Sequence, residues 1–220
     1  MKKIKIQCIG DTHGMHEELE LERSDIIIHV GDTCNSGSFR DGMAFLAWAK
    51  RQLTRGICDE FIFVAGNHDF TFEMIDKSYI PQGLVWLNNE EYETRDGLKI
   101  YGSPITPTFG HWAFMRERGD EISKVWKKIP KGLDILITHG PAYQILDRNS
   151  SREYCGCYDL GRYIKERKPK YHLFGHIHES YGTYKDDHTT YINCSTATGE
   201  YALTNKPIMI NIIKENAYDY

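Results

Sequence analysis

Short apolar, β-branched runs recur along the chain, and each breaks off in a cluster of polar residues. They lie at Ile4 to Ile9, Ile26 to Val30, Phe61 to Ala65, Ile135 to Thr138 and His172 to Phe174. Runs of this length, bounded by Gly, Asp and Asn, read as buried strands. Between them Met43, Phe45, Leu46, Trp48 and Leu53 recur at near-helical spacing and predict an amphipathic helix over Phe39 to Leu53, with shorter helices over Glu121 to Lys128 and Leu160 to Arg167. Later segments at Leu84 to Leu87, Leu98 to Tyr101, Thr189 to Cys194 and Ile208 to Ile213 predict further strands with little helix between them, and hence a second, mainly antiparallel sheet. Two mixed sheets face to face with helices outside make an α/β protein, a four-layer α-β-β-α sandwich.

A chain of 220 residues without linker, repeat or low-complexity tract is expected to form a single domain over 1–220. Its first nine residues alternate polar with apolar and read as a strand rather than a leader. No stretch approaches the roughly 18 to 20 apolar residues of a membrane span, so no membrane partner is expected. The six cysteines (Cys8, Cys34, Cys58, Cys155, Cys157 and Cys194) have no regular spacing, and Cys155-Gly-Cys157 lacks the two-residue gap of a redox or zinc pair. They predict a reduced, cytoplasmic protein with structural thiols. A formal net charge of −4 and a pI near 6.2 argue against a broad nucleic-acid footprint and any stable nucleic-acid partner.

The polar clusters change the picture from architecture to chemistry. They are Asp11-Thr12-His13, Gly31-Asp32, Gly66-Asn67-His68-Asp69, Thr138-His139 and Gly175-His176-Ile177-His178. Each sits on a loop at a predicted strand's C-terminal end, the edge where open α/β sheets bind ligands. Asp11 and His13, two apart on an extended segment, should point to one side and grip one ion. His176 and His178 repeat that spacing and serve one ion or two. Asp32 after Gly31 suits a carboxylate bridging two metals, while Asn67 and His68, as neighbours, diverge toward metal and substrate. Mixed oxygen and nitrogen ligands without thiolate fit Mn²⁺, Fe, Zn²⁺, Co²⁺ or Ni²⁺ better than Ca²⁺. Two metals about 3.5 to 4 Å apart generate a bridging hydroxide and clamp the phosphoryl oxygens during in-line attack. His68, as an imidazolium, then stabilises or protonates the leaving oxygen. Such a centre carries a net positive charge and forms an electropositive focus on an acidic protein.

In order and content, the five segments resemble the calcineurin-like metallophosphoesterase superfamily, whose pattern is D-x-H, G-D, G-N-H-[DE], an H after a strand, and G-H-x-H. The resemblance implies that Asp11, His13, Asp32 and His178 hold a first metal, that Asp32, Asn67, His139 and His176 hold a second, and that His68 is the catalytic histidine. Gly102-Ser103-Pro104-Ile105-Thr106-Pro107, Trp112-Ala113-Phe114, Thr138-His139-Gly140-Pro141 and the run from Phe174 to Gly182 are similar to the metallophosphoesterase-domain-containing group, known in animals from a brain-expressed protein. That likeness implies hydrolysis of small phosphodiesters, including 2′,3′- and 3′,5′-cyclic nucleotides, with Mn²⁺ as activator. Gly31-Asp32-Thr33-Cys34-Asn35-Ser36-Gly37 lacks the Arg of the G-D-x-V-D-R-G run in protein Ser/Thr phosphatases. Asn35 stands where purple acid phosphatases place a metal-binding Tyr. The expectation is a binuclear metal-dependent phosphodiesterase acting on a small phosphodiester or nucleotide. A DNA exonuclease or phosphomonoesterase of the same superfamily, or a non-catalytic scaffold such as the retromer subunit, are the alternatives.

Several residues outside the set carry two readings. His29 is expected to be packed or to support the ligands, His172 and His188 to be ordinary strand or turn residues, and His16, near Asp11, either to touch substrate or, the favoured reading, to start a helix. Asp69 either orients a ligand or caps the next turn. Arg116, Arg118 and Arg148 are expected at the solvated surface. His111, Trp112 and Phe114 follow a Pro/Gly-rich loop, and they either stack on a nucleobase, worth on the order of 1 to 3 kcal/mol, or pack into the core.

Overall fold

Period-two alternation hands the two faces of each strand to different layers, and that alternation builds the molecule. A computed structural model describes residues 1–214. In chain order the elements are β1 (Lys2–Ile9), β2 (Ile26–His29), α1 (Phe39–Thr54), β3 (Glu60–Phe63), α2 (Thr71–Met74), β4 (Leu84–Trp86), β5 (Glu90–Glu93), β6 (Lys99–Ser103), β7 (Thr106–Pro107), β8 (Met115–Arg116), α3 (Asp120–Trp126), β9 (Ile135–Thr138), α4 (Tyr158–Arg167), β10 (Tyr171–Phe174), β11 (Gly182–Lys185), β12 (Thr190–Asn193) and β13 (Ile208–Lys214). Ile4, Ile6, Ile26, Ile28, Ile62 and Val64 of one sheet meet Ile100, Ile135, Ile137, Leu173 and Ile192 of the other in a dry layer between the sheets. The alternate residues face outward. Ile27, Phe61 and Phe63 lie with Phe45 and Trp48 of α1, and Leu136, Phe174 and Tyr191 with Trp126 of α3 and Leu160 and Ile164 of α4. Full burial of each such side chain contributes about 1.5 to 3 kcal/mol.

The first sheet runs β13-β1-β2-β3-β4, parallel except for β13. The second runs β11-β12-β10-β9-β6-β5. Its four inner strands are parallel, and only the edge strands β11 and β5 pair antiparallel. Both sheets are mixed, as the sequence predicts, but the second is not mainly antiparallel. The late segments do not segregate either, since β4 and β13 join the first sheet while β6 and β12 pair beside β9 and β10. The reason lies in the connections: α3 carries the chain from β6 to β9 and α4 from β9 to β10, and a crossover through a helix returns a strand in parallel.

The helix ends are chemically specified. Ser38 Oγ accepts from the Asp41 amide at the start of α1, at 3.2 Å. Cys157 caps α4, its Sγ lying 3.5 Å from the Leu160 amide and 3.3 Å from Trp126 Nε1. All six cysteines are free thiols. Among the described residues no helix is long and apolar enough to cross a membrane. The loops leaving β1, β2, β3, β9 and β10 carry the five polar clusters. A bridge between Gly10 and Ser195 ties the end of β1 to the segment after β12 and draws the two sheets together there.

Candidate metal centre

Four residues of the clusters hold their backbone in the left-handed region: Asp11 (φ 49°), His13 (44°), Asp32 (53°) and His176 (71°). For residues other than glycine such a conformation costs of order 1 to 3 kcal/mol and gathers at functional sites. The Asp11–His13 segment is therefore not extended. Its side chains converge because the loop turns sharply, held by the Asp11 amide on the Gly31 carbonyl at 2.9 Å and the His13 amide on the Asp32 carbonyl at 3.0 Å. The motif glycines serve close approach: a Cβ on Gly175 would collide with the carboxylate of Asp11, and one on Gly66 with that of Asp32.

All eight residues singled out in the sequence come together. Asp11, His13 and His178 form one group, His13, Asp32 and His68 a second, and Asp32, His139 and His176 a third, with donor atoms within 4.8 Å of one another in each. Asn67 joins the third group, its Oδ1 lying 2.9 Å from His139 Nε2. Asp32 Oδ2 stands 3.4 Å from His139 Nε2 and 3.9 Å from His13 Nε2, between the two ends of the cluster. His13 Nε2 and His178 Nε2 face each other at 3.2 Å.

Outer contacts aim these rings. The Nδ1–H groups of His178, His139 and His68 donate to the carbonyls of Thr198 (2.8 Å), Val30 (3.1 Å) and Asn35 (2.8 Å). A carbonyl only accepts, so each Nε2 is left pointing inward. The Asp11 carboxylate accepts from the His176 amide at 3.0 Å, and Asp32 Oδ1 from the His68 amide at 2.8 Å. Asp69 accepts from the Gly66, Thr33 and Cys34 amides and from the Thr33 hydroxyl, stapling the loop after β2 to the loop after β3. The turn that follows has no side-chain cap, and the Asp69 carboxylate instead joins the loops that carry Asp32 and Asn67. Burial, reinforced by the charge of Asp32, raises its pKa to about 6.

His29 and His172 play matching parts in the two sheets. His29 accepts the Gly31 amide on Nδ1 and donates from Nε2 to the Thr12 hydroxyl at 3.0 Å. The Thr138 hydroxyl donates to the Gly140 carbonyl and accepts from His172 Nε2, each at 2.7 Å. Burial lowers both histidines to about 3, so they stay neutral. His16, in a short turn at His16–Glu18, is buried against Phe45 and Trp48, and His188 lies in an exposed turn.

Burial alone would raise the carboxyl pKa values, but His178 beside Asp11 and His139 beside Asp32 outweigh it and hold both acids well below the usual range. For His139 and His178 burial is likewise outweighed, by Asp32 and Asp11 respectively, and both rise to about 9. Burial dominates at His13 and His176, which fall to about 4 and about 3. Two carboxylates, an amide oxygen and inward-facing imidazole nitrogens, with no thiolate among them, form a donor set suited to divalent transition metals.

Above this floor opens a cleft of about 270 Å³. Trp112 stacks on His68 with ring centroids 4.4 Å apart, Tyr201 sets its ring edgewise 4.7 Å from His13, and Phe109 lies 5.1 Å from His176. Glu179 and Gly199 complete the rim. Of the loop aromatics, Trp112 reaches the cleft, whereas Phe114 is core, 5 % exposed, and His111 is exposed outside the cleft lining. The three arginines do not line the cleft: Arg116 faces Glu121, Arg118 donates to the Gly156 and Cys155 carbonyls, and Arg148 lies over Tyr154. Sequence reasoning missed Phe109, Glu179, Tyr201 and the carbonyls of Asn35 and Thr198. One signal for Tyr201 was present, because the run ending at Cys194 also breaks off in a small, polar cluster, Ser195 to Gly199.

A family model described as calcineurin-like phosphoesterase matches residues 4–180. Metallophosphoesterase domain-containing protein 1 of Homo sapiens is 34 % identical over 232 residues, spanning 93 % of this chain and 70 % of that protein. A UPF0046 protein of Caenorhabditis elegans is 30 % identical over 96 % of this chain and 76 % of its own length. Two solved structures share the fold: TT1561 of Thermus thermophilus, with a TM-score of 0.60 and 15 % identity over 87 % of this chain and 89 % of that one, and GAP50, the anchor in the inner membrane complex of Plasmodium, with a TM-score of 0.53 and 14 % identity over 89 % and 72 %. Since the matched span runs from β1 past His178 and so encloses every residue of the centre, the chain belongs to the calcineurin-like phosphoesterase family.

Proposed function

We propose that the protein is a binuclear-metal-dependent phosphodiesterase that hydrolyses small phosphodiesters such as cyclic nucleotides. The observation that carries this reading is the position of Asp32, whose carboxylate stands between His13 on one side and His139 on the other. Asp11, His13, Asp32 and His178 would hold one ion, and Asp32, Asn67, His139 and His176 the other. Mn²⁺ is the metal we assign, with Fe, Zn²⁺, Co²⁺ and Ni²⁺ also compatible with the donors. Bound ions of this kind polarise phosphoryl oxygens and lower the pKa of water to make a nucleophile at neutral pH.

The chain's own groups do the rest. His68 is fixed at three points: Nδ1–H on the Asn35 carbonyl, its amide on Asp32, and its ring face on Trp112. Nε2 is its free end, directed to the cleft, where it donates a proton to the departing ester oxygen. Because the His68 amide binds the same carboxylate that would join the metals, proton donor and metals keep a fixed spacing. The cleft admits a small substrate, and we assign no nucleic-acid or membrane partner and a cytoplasmic setting.

Hydrolysis of bis(p-nitrophenyl) phosphate by chelator-stripped protein, before and after adding Mn²⁺, tests this. Turnover should return with the metal and fall about 10²- to 10⁴-fold in His68→Ala. Absence of turnover with all five metals would overturn the reading.

A further inference from the structure

Among the described residues lining the cleft there is neither a lysine nor an arginine. Arg148 turns away: its amide binds Ser180, one residue beyond Glu179, yet its guanidinium lies over Tyr154 at 4.4 Å. The rim instead gains an anion. Glu179 follows His178 directly, lines the cleft, and is joined to no cation among the ion pairs of the described residues. Gly199 lies against it, so close that a Cβ there would come within 3.1 Å of Glu179 Oε1. The rest of the rim is flat and aromatic, with Trp112 40 % and Tyr201 47 % exposed.

This charge pattern distinguishes two classes of phosphate ester. A diester carries one negative charge, whereas a monoester, with a second pKa near 6, carries two at pH 8. A carboxylate on the rim acts on each in proportion to its charge, so its penalty on the dianion is twice that on the monoanion. Sites that welcome dianions add guanidinium or ammonium groups, and this cleft adds the opposite. We infer that Glu179 is a specificity-determining residue that selects singly charged phosphodiesters over doubly charged monoesters, while Trp112 and Tyr201 receive the second ester group. The inference rests on the phosphodiesterase reading and deepens it.

The test is a charge series at position 179: wild type, Glu179→Gln and Glu179→Lys. The ratio of kcat/KM for bis(p-nitrophenyl) phosphate to that for p-nitrophenyl phosphate, with Mn²⁺ at pH 8 and low ionic strength, should fall about three- to tenfold at each step. In about 0.5 M salt, where the Debye length shortens to a few Å, the steps should shrink. Calorimetric Kd values for dimethyl phosphate and inorganic phosphate, read without turnover, should shift their ratio the same way. A ratio that stays constant across the series, or falls equally in high salt, overturns the role of Glu179. A wild type that turns over neither ester sinks the phosphodiesterase reading, while the two Kd values still decide whether residue 179 sorts anions by charge.

Discussion

Burial and charge pull in opposite directions on the histidines of the centre, and the balance differs from ring to ring. His13 and His176, where burial wins, are neutral at pH 7 and offer a lone pair directly. His139 and His178 are held protonated up to about pH 9, because the carboxylates of Asp32 and Asp11 outweigh burial. A metal must displace those protons, so the sign is fixed: apparent Mn²⁺ affinity rises as pH climbs from 6 toward 9 and levels off above. Binding at pH 7 should release close to two protons per protein, read by calorimetry in buffers of different ionisation heat. Affinity indifferent to pH, with no proton released, would mean that the two histidines are already neutral before the metal binds. The residues in this balance were legible in the sequence because each sits inside a contiguous cluster. The backbone that aims them was not, since neither Asp nor His announces a left-handed φ, and the two-residue spacing of Asp11 and His13 pointed to the right convergence through the wrong geometry.

Elements were legible in type and less so in partnership. The helix expected over Phe39 to Leu53 forms as Phe39–Thr54, and the five motif-bearing strands all form. Alternation reports which face of a strand is buried, not which strand lies beside it, so β4 and β13 could not be separated from β6 and β12. The rim was hidden for another reason: Phe109 and Tyr201 come from two loops and Glu179 from a short 3-10 turn at His178–Ser180, with no shared spacing. Phe45 shows how an element supports the site from behind. Its ring packs 5.1 Å from His29 and 5.3 Å from Phe63, with Trp48, Phe61 and Phe72 within 6.5 Å. Phe45→Ala would open a cavity that rigid strands cannot close, costing about 3 to 5 kcal/mol in urea unfolding, while Phe45→Leu should cost clearly less. Equal losses for the two would argue that packing around this ring is loose.

At the scale of the whole molecule, the centre is a seam. Asp11, His13, Asp32 and Asn67 follow strands of the first sheet, whereas His139, His176 and His178 follow strands of the second. Between the sheets lies an apolar layer, joined at this edge by the Gly10–Ser195 bridge and the Thr196 amide on the Gly10 carbonyl at 2.9 Å, and elsewhere by the Tyr92 hydroxyl of β5 on Glu60 of β3 at 2.6 Å. A cation bound by ligands from both sheets acts as a cross-link and stabilises the folded chain by mass action. With free Mn²⁺ at about 100 times its Kd that contribution is about 2.7 kcal/mol. For a chain of 220 residues it corresponds to a rise in Tm of about 5 to 10 °C. The seam predicts more than the rise itself: Asp11→Asn, on the first sheet, and His139→Ala, on the second, should each diminish the Mn²⁺-dependent increase when melted against their own chelated controls. If the increase survived loss of His139 intact but vanished with Asp11, the ions would be held by the first sheet alone, and the two halves of the sandwich would owe their union to apolar packing and the hydrogen bonds across it, without help from metal.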